Sequence, residues 1–197
     1  MHAFALTRLN ILALLRTMAI QNWETIESEY LFKRPWLTAR KDKVRLPDGR
    51  INPEFYVLEY PDWVNVTAIN EDGDFVMISQ YRHGLKGVFT ELVAGVIDEG
   101  EDPLQAAKRE LLEEAGYGGG EWELLTILCQ NPSTTTNYTY CFLAKGVKKI
   151  SGQKLDPMED IAVKIVTKQE LIEMLIKDEM KQALMAAPLW KYLYLNK

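Results

Sequence analysis

Cysteine is nearly absent from this 197-residue chain, which has only Cys129 and Cys141. They form no CxxC pair and lack the spacing of a zinc site, so a disulfide framework and a thiolate metal centre are both excluded. Both lie in apolar segments that read as strands, and buried inert thiols in a reducing cytoplasm are the expectation. Histidine is equally scarce, with two in all; His83 has no partner visible in the sequence and reads as a loop residue. No apolar run reaches the ~18 residues of a membrane span, so no membrane partner is expected. Positive charge is also short. Lys and Arg total 23 against 28 Asp and Glu, a net charge of −5. That argues against a nucleic-acid partner, which needs a basic face. A phosphate-bearing substrate stays open, provided a metal ion supplies the positive charge.

What is there is ordinary for a globular protein: 47% hydrophobic and 26% charged residues, in a length that fits one domain with a small extension. Such a chain can bury a full core without staples. Near the start, residues 4–15 are apolar but interrupted by Arg8 and Asn10. No small-residue cleavage site follows, so a signal peptide is not expected. The reading divides the chain into an extension over 1–17, an N-terminal strand region over 18–60 and a main domain over 61–197.

Turn chemistry sets the elements. Pro47-Asp48-Gly49 predicts a hairpin between strands over 36–45 and 51–60. The loop 70–74, Asn-Glu-Asp-Gly-Asp, predicts another between 64–69 and 75–80. Further strands are expected over 91–94, 124–129, 138–143 and 161–166. A helix over 103–115 opens with Asp102 as N-cap and Pro103 at the first helical position, and stops at Gly116. Amphipathic helices are expected over 168–176 and 179–192. Strands, helix, strands, helices in that order make an α+β fold with helices covering a mixed sheet.

The chemistry concentrates in residues 95–117. On a regular helix Glu110, Glu113 and Glu114 stand at i, i+3 and i+4 and share one face, where like charges repel. A hard divalent cation bound through oxygen would offset that repulsion. Leu104, Ala107, Leu111 and Ala115 form the opposite, sheet-packing face. Arg109 is placed to orient a carboxylate, Glu101 or Glu113. Gly95 lets the backbone come close, so that the Ala94 carbonyl can reach the same metal. Three glutamates alone read more readily as a solvated acidic face.

The full segment decides between these readings. It resembles the Nudix box, G-x5-E-x7-R-E-U-x-E-E-x-G-U with U a bulky apolar residue. Gly95, Glu101, Arg109, Glu110, Glu113, Glu114 and Gly116 fill every fixed position, and Tyr117 is an aromatic variant of the last. Seven fixed residues coincide by chance on the order of once in 10⁸ starting positions. The resemblance implies a Nudix α/β/α sandwich with a mixed β-sheet and an N-terminal antiparallel strand region. It implies attack of a metal-activated water on a pyrophosphate phosphorus. It makes Glu110 and Glu114 the main Mg²⁺ ligands, with Mn²⁺ as a possible substitute. Glu113 and the Ala94 carbonyl help hold metal, and Glu101 and Arg109 support them.

Flanking residues point to a substrate. Pro132, sixteen residues after Gly116, is similar to the ADP-ribose pyrophosphatase group, as are the runs 80–82 and 91–95 and the approach 159–161 to a strand. The resemblance implies a nucleotide-sugar substrate and a homodimer. It puts Arg82 on a phosphate, and Trp36 on the nucleobase, a residue that reads more readily as core. Two departures weaken ADP-ribose in particular. Asn137 stands about where the group has a glutamate on the terminal ribose. Pro157 stands where it has a glutamate base, leaving Asp156 or Glu159 as replacements. Another nucleotide sugar such as GDP-mannose, a triphosphate sanitiser, or a non-catalytic Nudix-fold binding module are the rival readings.

Overall fold

The computed structural model describes residues 20–34 and 37–197. The chain divides between Leu58 and Glu59 into two compact units. The first is a three-stranded sheet, β1 (Glu24–Arg34), β2 (Leu37–Arg45) and β3 (Ile51–Glu59), in that order. β1 and β2 run antiparallel, from Glu24 opposite Arg45 to Arg34 opposite Leu37. The turn between β2 and β3 forms where Pro-Asp-Gly predicts it. The Gly49 amide donates to the Leu46 carbonyl (2.9 Å), and Gly49 takes φ +87°, which suits a residue with no Cβ. All eleven residues of β1 are exposed. Val44, Val57 and Asp42 are this unit's buried residues among those described, and Arg40 Nε donates to the Asp42 carboxylate.

The second unit holds an eight-stranded mixed sheet. Its main path is β11 (Ile161–Val166), β5 (Phe75–Arg82), β4 (Trp63–Asn70), β10 (Thr139–Lys149) and β8 (Tyr117–Gly118). β6 (Gly87–Glu91) pairs with β5, β7 (Val93–Val96) with β4, and β9 (Glu121–Leu128) with β10. The β4–β10 pair is parallel and the other pairs are antiparallel.

Strand alternation sorts side chains to two faces. Val64, Val66 and Ala68 of β4 pack with Ala106, Ala107 and Leu111 of the glutamate-bearing helix. Ile69, Met77 and Leu143 pack on the other face with Leu171 and Leu175 of α2 (Lys168–Ile176) and Leu189 of α3 (Ala183–Leu195). Helices therefore cover both faces, giving the expected α+β sandwich. α2 is fixed by a capping box, Thr167 with Glu170.

Four expectations need correction. The helix over 103–115 is regular only as α1 (Pro103–Glu110); Leu111–Ala115 is a π-wound turn, with the Gly116 amide donating to the Leu111 and Leu112 carbonyls. The strand over 91–94 is two strands, because the chain changes neighbours at Leu92: β6 pairs with β5 and β7 with β4. The last helix begins at Ala183, not 179. The expected N-terminal strand region holds a third strand, β1, that the turn signals did not place.

Candidate active site

The π-wound turn changes how the acids are presented. A regular helix would put Glu110, Glu113 and Glu114 on one solvated face. The wider turn instead directs Glu114 inward. It is 4% exposed, and its carboxylate accepts from the Ala94 amide (3.1 Å). Three groups from the last residue of β10 and the segment after it hold the turn by its otherwise unpaired carbonyls. Lys149 Nζ donates to the Ala115 carbonyl, Gln153 Nε2 to the Glu114 carbonyl (both 2.7 Å), and the Lys154 amide to the Glu113 carbonyl (2.8 Å). Gly116 closes the turn at φ +69°, where a Cβ would meet the Ser151 carbonyl at 2.4 Å.

Arg109 sits at the centre of the acids. It grips Glu101 with two bonds, Nε to Oε1 (3.0 Å) and Nη2 to Oε2 (2.9 Å). Nη1 donates to Glu110 (2.7 Å) and Glu113 (3.3 Å), and Nη2 to the Val96 carbonyl (3.0 Å). The guanidinium holds the Glu101 carboxyl below the ordinary carboxylate range. Burial outweighs the same guanidinium at Glu110 and raises its pKa. Burial, then repulsion from Glu110 and Glu159, pushes Glu114 up to about 8 against the opposing Ala94 bond and Arg82. The strained charge balance therefore falls on Glu110 and Glu114.

That imbalance suits a divalent cation. A buried carboxylate, Glu114, and a partly buried one, Glu110, both with raised pKa, are short of positive charge, and a hard oxygen-seeking ion provides it. The backbone makes room as well: a Cβ on Gly95 would stand 2.0 Å from the Glu110 carboxylate, so this carboxylate lies directly on the β7 backbone. Among the described residues no three acids are already drawn together as a metal cluster. Arg109 holds Glu110 and Glu113 instead.

The remaining candidates are distributed around this centre. Arg82 Nε donates to Glu91 (3.0 Å); Glu91 is buried while the Arg82 side chain is 42% exposed. Both line a cleft of about 560 Å³ that also includes Ala94 and Gly95. Glu159 is near enough to raise the pKa of Glu110 and Glu114. Its carboxylate accepts from the Asp156 amide (2.8 Å), closing the tight turn that contains Pro157. Pro132 is in an exposed turn organised by Asn131, and Asn137 is buried with Nδ2 on the Pro61 carbonyl (3.1 Å). Neither is among the described residues lining the cleft. Trp36 lies outside the described residues. His83 is in the β5–β6 connection, beside the Tyr81 hydroxyl. Sequence reasoning did not assign the roles of Glu91, Lys149 and Gln153. The opposite charges of Arg82 and Glu91 were the one available signal.

Comparison with known proteins agrees with this geometry. The NUDIX domain description matches residues 60–187, and the nucleoside diphosphate sugar hydrolase N-terminal domain description matches residues 23–58. The chain belongs to the NUDIX family, and it is a Nudix hydrolase acting on pyrophosphate bonds. Among its relatives, the methanol dehydrogenase activator of Bacillus methanolicus is 32% identical over 76% of this chain and 81% of its own. The ADP-ribose pyrophosphatase of Mycobacterium tuberculosis is 35% identical over 68% of this chain and 64% of its own. That of Bacillus subtilis is 27% identical over 81% and 86%. A crystal structure of an ADP compounds hydrolase superposes with a TM-score of 0.79 over 90% of this chain and 95% of that one, at 20% identity, and so shares the fold. No helix among the described residues is long and apolar enough to cross a membrane.

Proposed function

We propose that this chain is a Mg²⁺-dependent hydrolase of nucleoside diphosphate sugars, with ADP-ribose cleaved to AMP and ribose 5-phosphate as the first choice of substrate. The observation that carries this is the pair of cation-seeking glutamates, the partly buried Glu110 and the buried Glu114, opening beside a cleft that holds Arg82. The match of residues 23–58 to a sugar-hydrolase domain and the ADP-ribose pyrophosphatase relatives support the substrate class. Glu110, Glu114, Glu113 and the Ala94 carbonyl would hold Mg²⁺, with Mn²⁺ able to replace it. When bound, the ion would neutralise phosphate charge and lower the pKa of the attacking water. Arg109 keeps Glu101, Glu110 and Glu113 in place. Arg82 meets a phosphate oxygen, braced from behind by Glu91. Glu159, on its turn beside the acids, accepts the proton of the attacking water. A cytoplasmic setting fits the two free thiols.

The burial of Asn137 against Pro61, with no acid at that position, favours a second reading in which another nucleotide sugar such as GDP-mannose is preferred. A panel of nucleotide sugars, dinucleotides and triphosphates with Mg²⁺, with products identified, tests both. AMP with ribose 5-phosphate is the expected pair. Turnover confined to triphosphates would overturn the substrate class, and no turnover at all would sink the reading.

We also propose a homodimer through the N-terminal sheet. β1 exposes Ile26, Leu31 and Phe32, and apolar side chains exposed along a strand mark an association site. Light scattering is expected to give twice the 22.6 kDa chain mass. A monomer at micromolar concentration would remove the proposal.

A further inference from the structure

The cleft contains polar atoms that the phosphate chemistry leaves unused. Asn65, Thr139 and Gln182 line it, and in each a buried side-chain oxygen (Asn65 Oδ1, Thr139 Oγ1, Gln182 Oε1) has no hydrogen-bond partner. Asn65 is 1% exposed and Thr139 3%. Buried polar atoms are nearly always paired, so three unpaired ones around one cleft call for an explanation.

The orientation of Asn65 is fixed by the helix above it. Pro188 lies inside α3 and has no N–H, so the Leu184 carbonyl one turn earlier loses its helical donor. Asn65 Nδ2 supplies the replacement at 2.7 Å. A flipped amide would set two acceptors against each other, so Oδ1 must be the free end. Gln182 precedes α3 and makes no capping bond there. Both amide oxygens accept only, and the threonine hydroxyl can accept.

The two amide oxygens repel a phosphate, and the three oxygens together suit a neutral group with several donors. A sugar ring presents hydroxyls on separate carbons. The adenine of ADP-ribose offers one amino group, beside ring nitrogens that need donors. The same cleft is lined by Ala94 and Gly95, next to the acids, and by Arg82. A sugar joined to the phosphate held there would fall among these oxygens. We infer that Asn65, Thr139 and Gln182 form the subsite that receives the hydroxyls of the substrate's sugar half and so set sugar selectivity; this rests on the nucleotide-sugar reading above.

The test compares ADP-ribose with the methyl ester of ADP, which keeps the nucleoside and diphosphate but has no sugar on the distal phosphate. Thr139→Val and Gln182→Met are measured in the full chain with Mg²⁺, with thermal melts to confirm folding. Should the buried Thr139→Val fail to fold, the partly exposed Gln182→Met still decides. The ratio of kcat/KM for ADP-ribose to that for the ester is expected to fall about tenfold or more in each, the scale for losing a hydrogen bond made to a substrate hydroxyl. A ratio equal to wild type overturns the subsite. So does a ratio that changes only when the adenine amino group is replaced, as in the inosine analogue, because the cleft would then read the base. Wild-type protein that cleaves neither compound, nor any other pyrophosphate, would instead remove the underlying function.

Discussion

Glu114→Gln is expected to lower kcat by about 10³-fold or more and, in metal-free protein, to raise stability at alkaline pH. The two effects share one cause. Glu114 is buried at the Ala94 amide and its pKa is pushed up to about 8. In the unfolded chain the same carboxyl ionises near 4.5. Between these values the folded state binds the proton and the unfolded state has released it, so stability falls as pH rises. The contribution is fully present below about pH 4.5 and lost through pH 8, on the order of 3–5 kcal/mol if burial alone sets it. Glutamine has the same shape, can still accept from Ala94, and carries no charge to bury. Urea unfolding in chelator should therefore show wild type losing stability from pH 5.5 to 8.5 while the variant loses less and becomes the more stable of the two. Adding Mg²⁺ should restore wild type and leave the variant unmoved. Wild-type turnover by the variant would refute the ligand assignment, and a flat wild-type profile would refute the burial argument.

Those paired effects depend on geometry that the sequence conveys only partly. The spacing of Gly95, Glu101, Arg109, Glu110, Glu113, Glu114 and Gly116 makes the chemistry readable, because the residues are local and their types are restricted. Arg109 does bind Glu101 and Glu113, as its position suggested. The inward turn of Glu114 is not readable. It comes from π winding held by Lys149, Gln153 and Lys154, some 35–40 residues further on, and helical periodicity carries no trace of such contacts. β1 escaped notice for a related reason. Glu, Tyr, Leu, Phe and Lys are mixed along it without strict alternation, and all eleven residues are exposed, so no buried face imposes period two. β10 continues to Lys149, beyond its apolar stretch, because β8 and β9 offer it backbone partners. The roles of Asn65 and Pro188 are also non-local, since one completes a hydrogen bond that the other leaves open 119 residues away in the chain from its acceptor.

Gly95→Ala is expected to cost about 10²-fold in kcat while leaving the fold almost intact. Gly95 is not at a positive φ, so alanine meets no backbone penalty there. The conflict is confined to Glu110, whose carboxylate carbon and Oε1 would each lie 2.0 Å from the new Cβ. A carboxylate at the end of a flexible side chain can move, unlike the Ser151 carbonyl facing Gly116. Stability should therefore change by no more than about 1–2 kcal/mol, as for a modest overpacking. Moving Glu110 by more than an ångström breaks its 2.7 Å bond from Arg109 and takes one of the proposed cation ligands out of place. Misplacements of that size are worth about 10²-fold in rate. The signature is a separation of observables: kcat for nucleotide-sugar cleavage collapses, the melting temperature holds within a few degrees, and the Mg²⁺ concentration giving half-maximal rate rises. Full activity in a folded Gly95→Ala protein would show that the glutamate–backbone contact does not shape the metal site. Loss of folding would show that Glu110 is held too rigidly to yield.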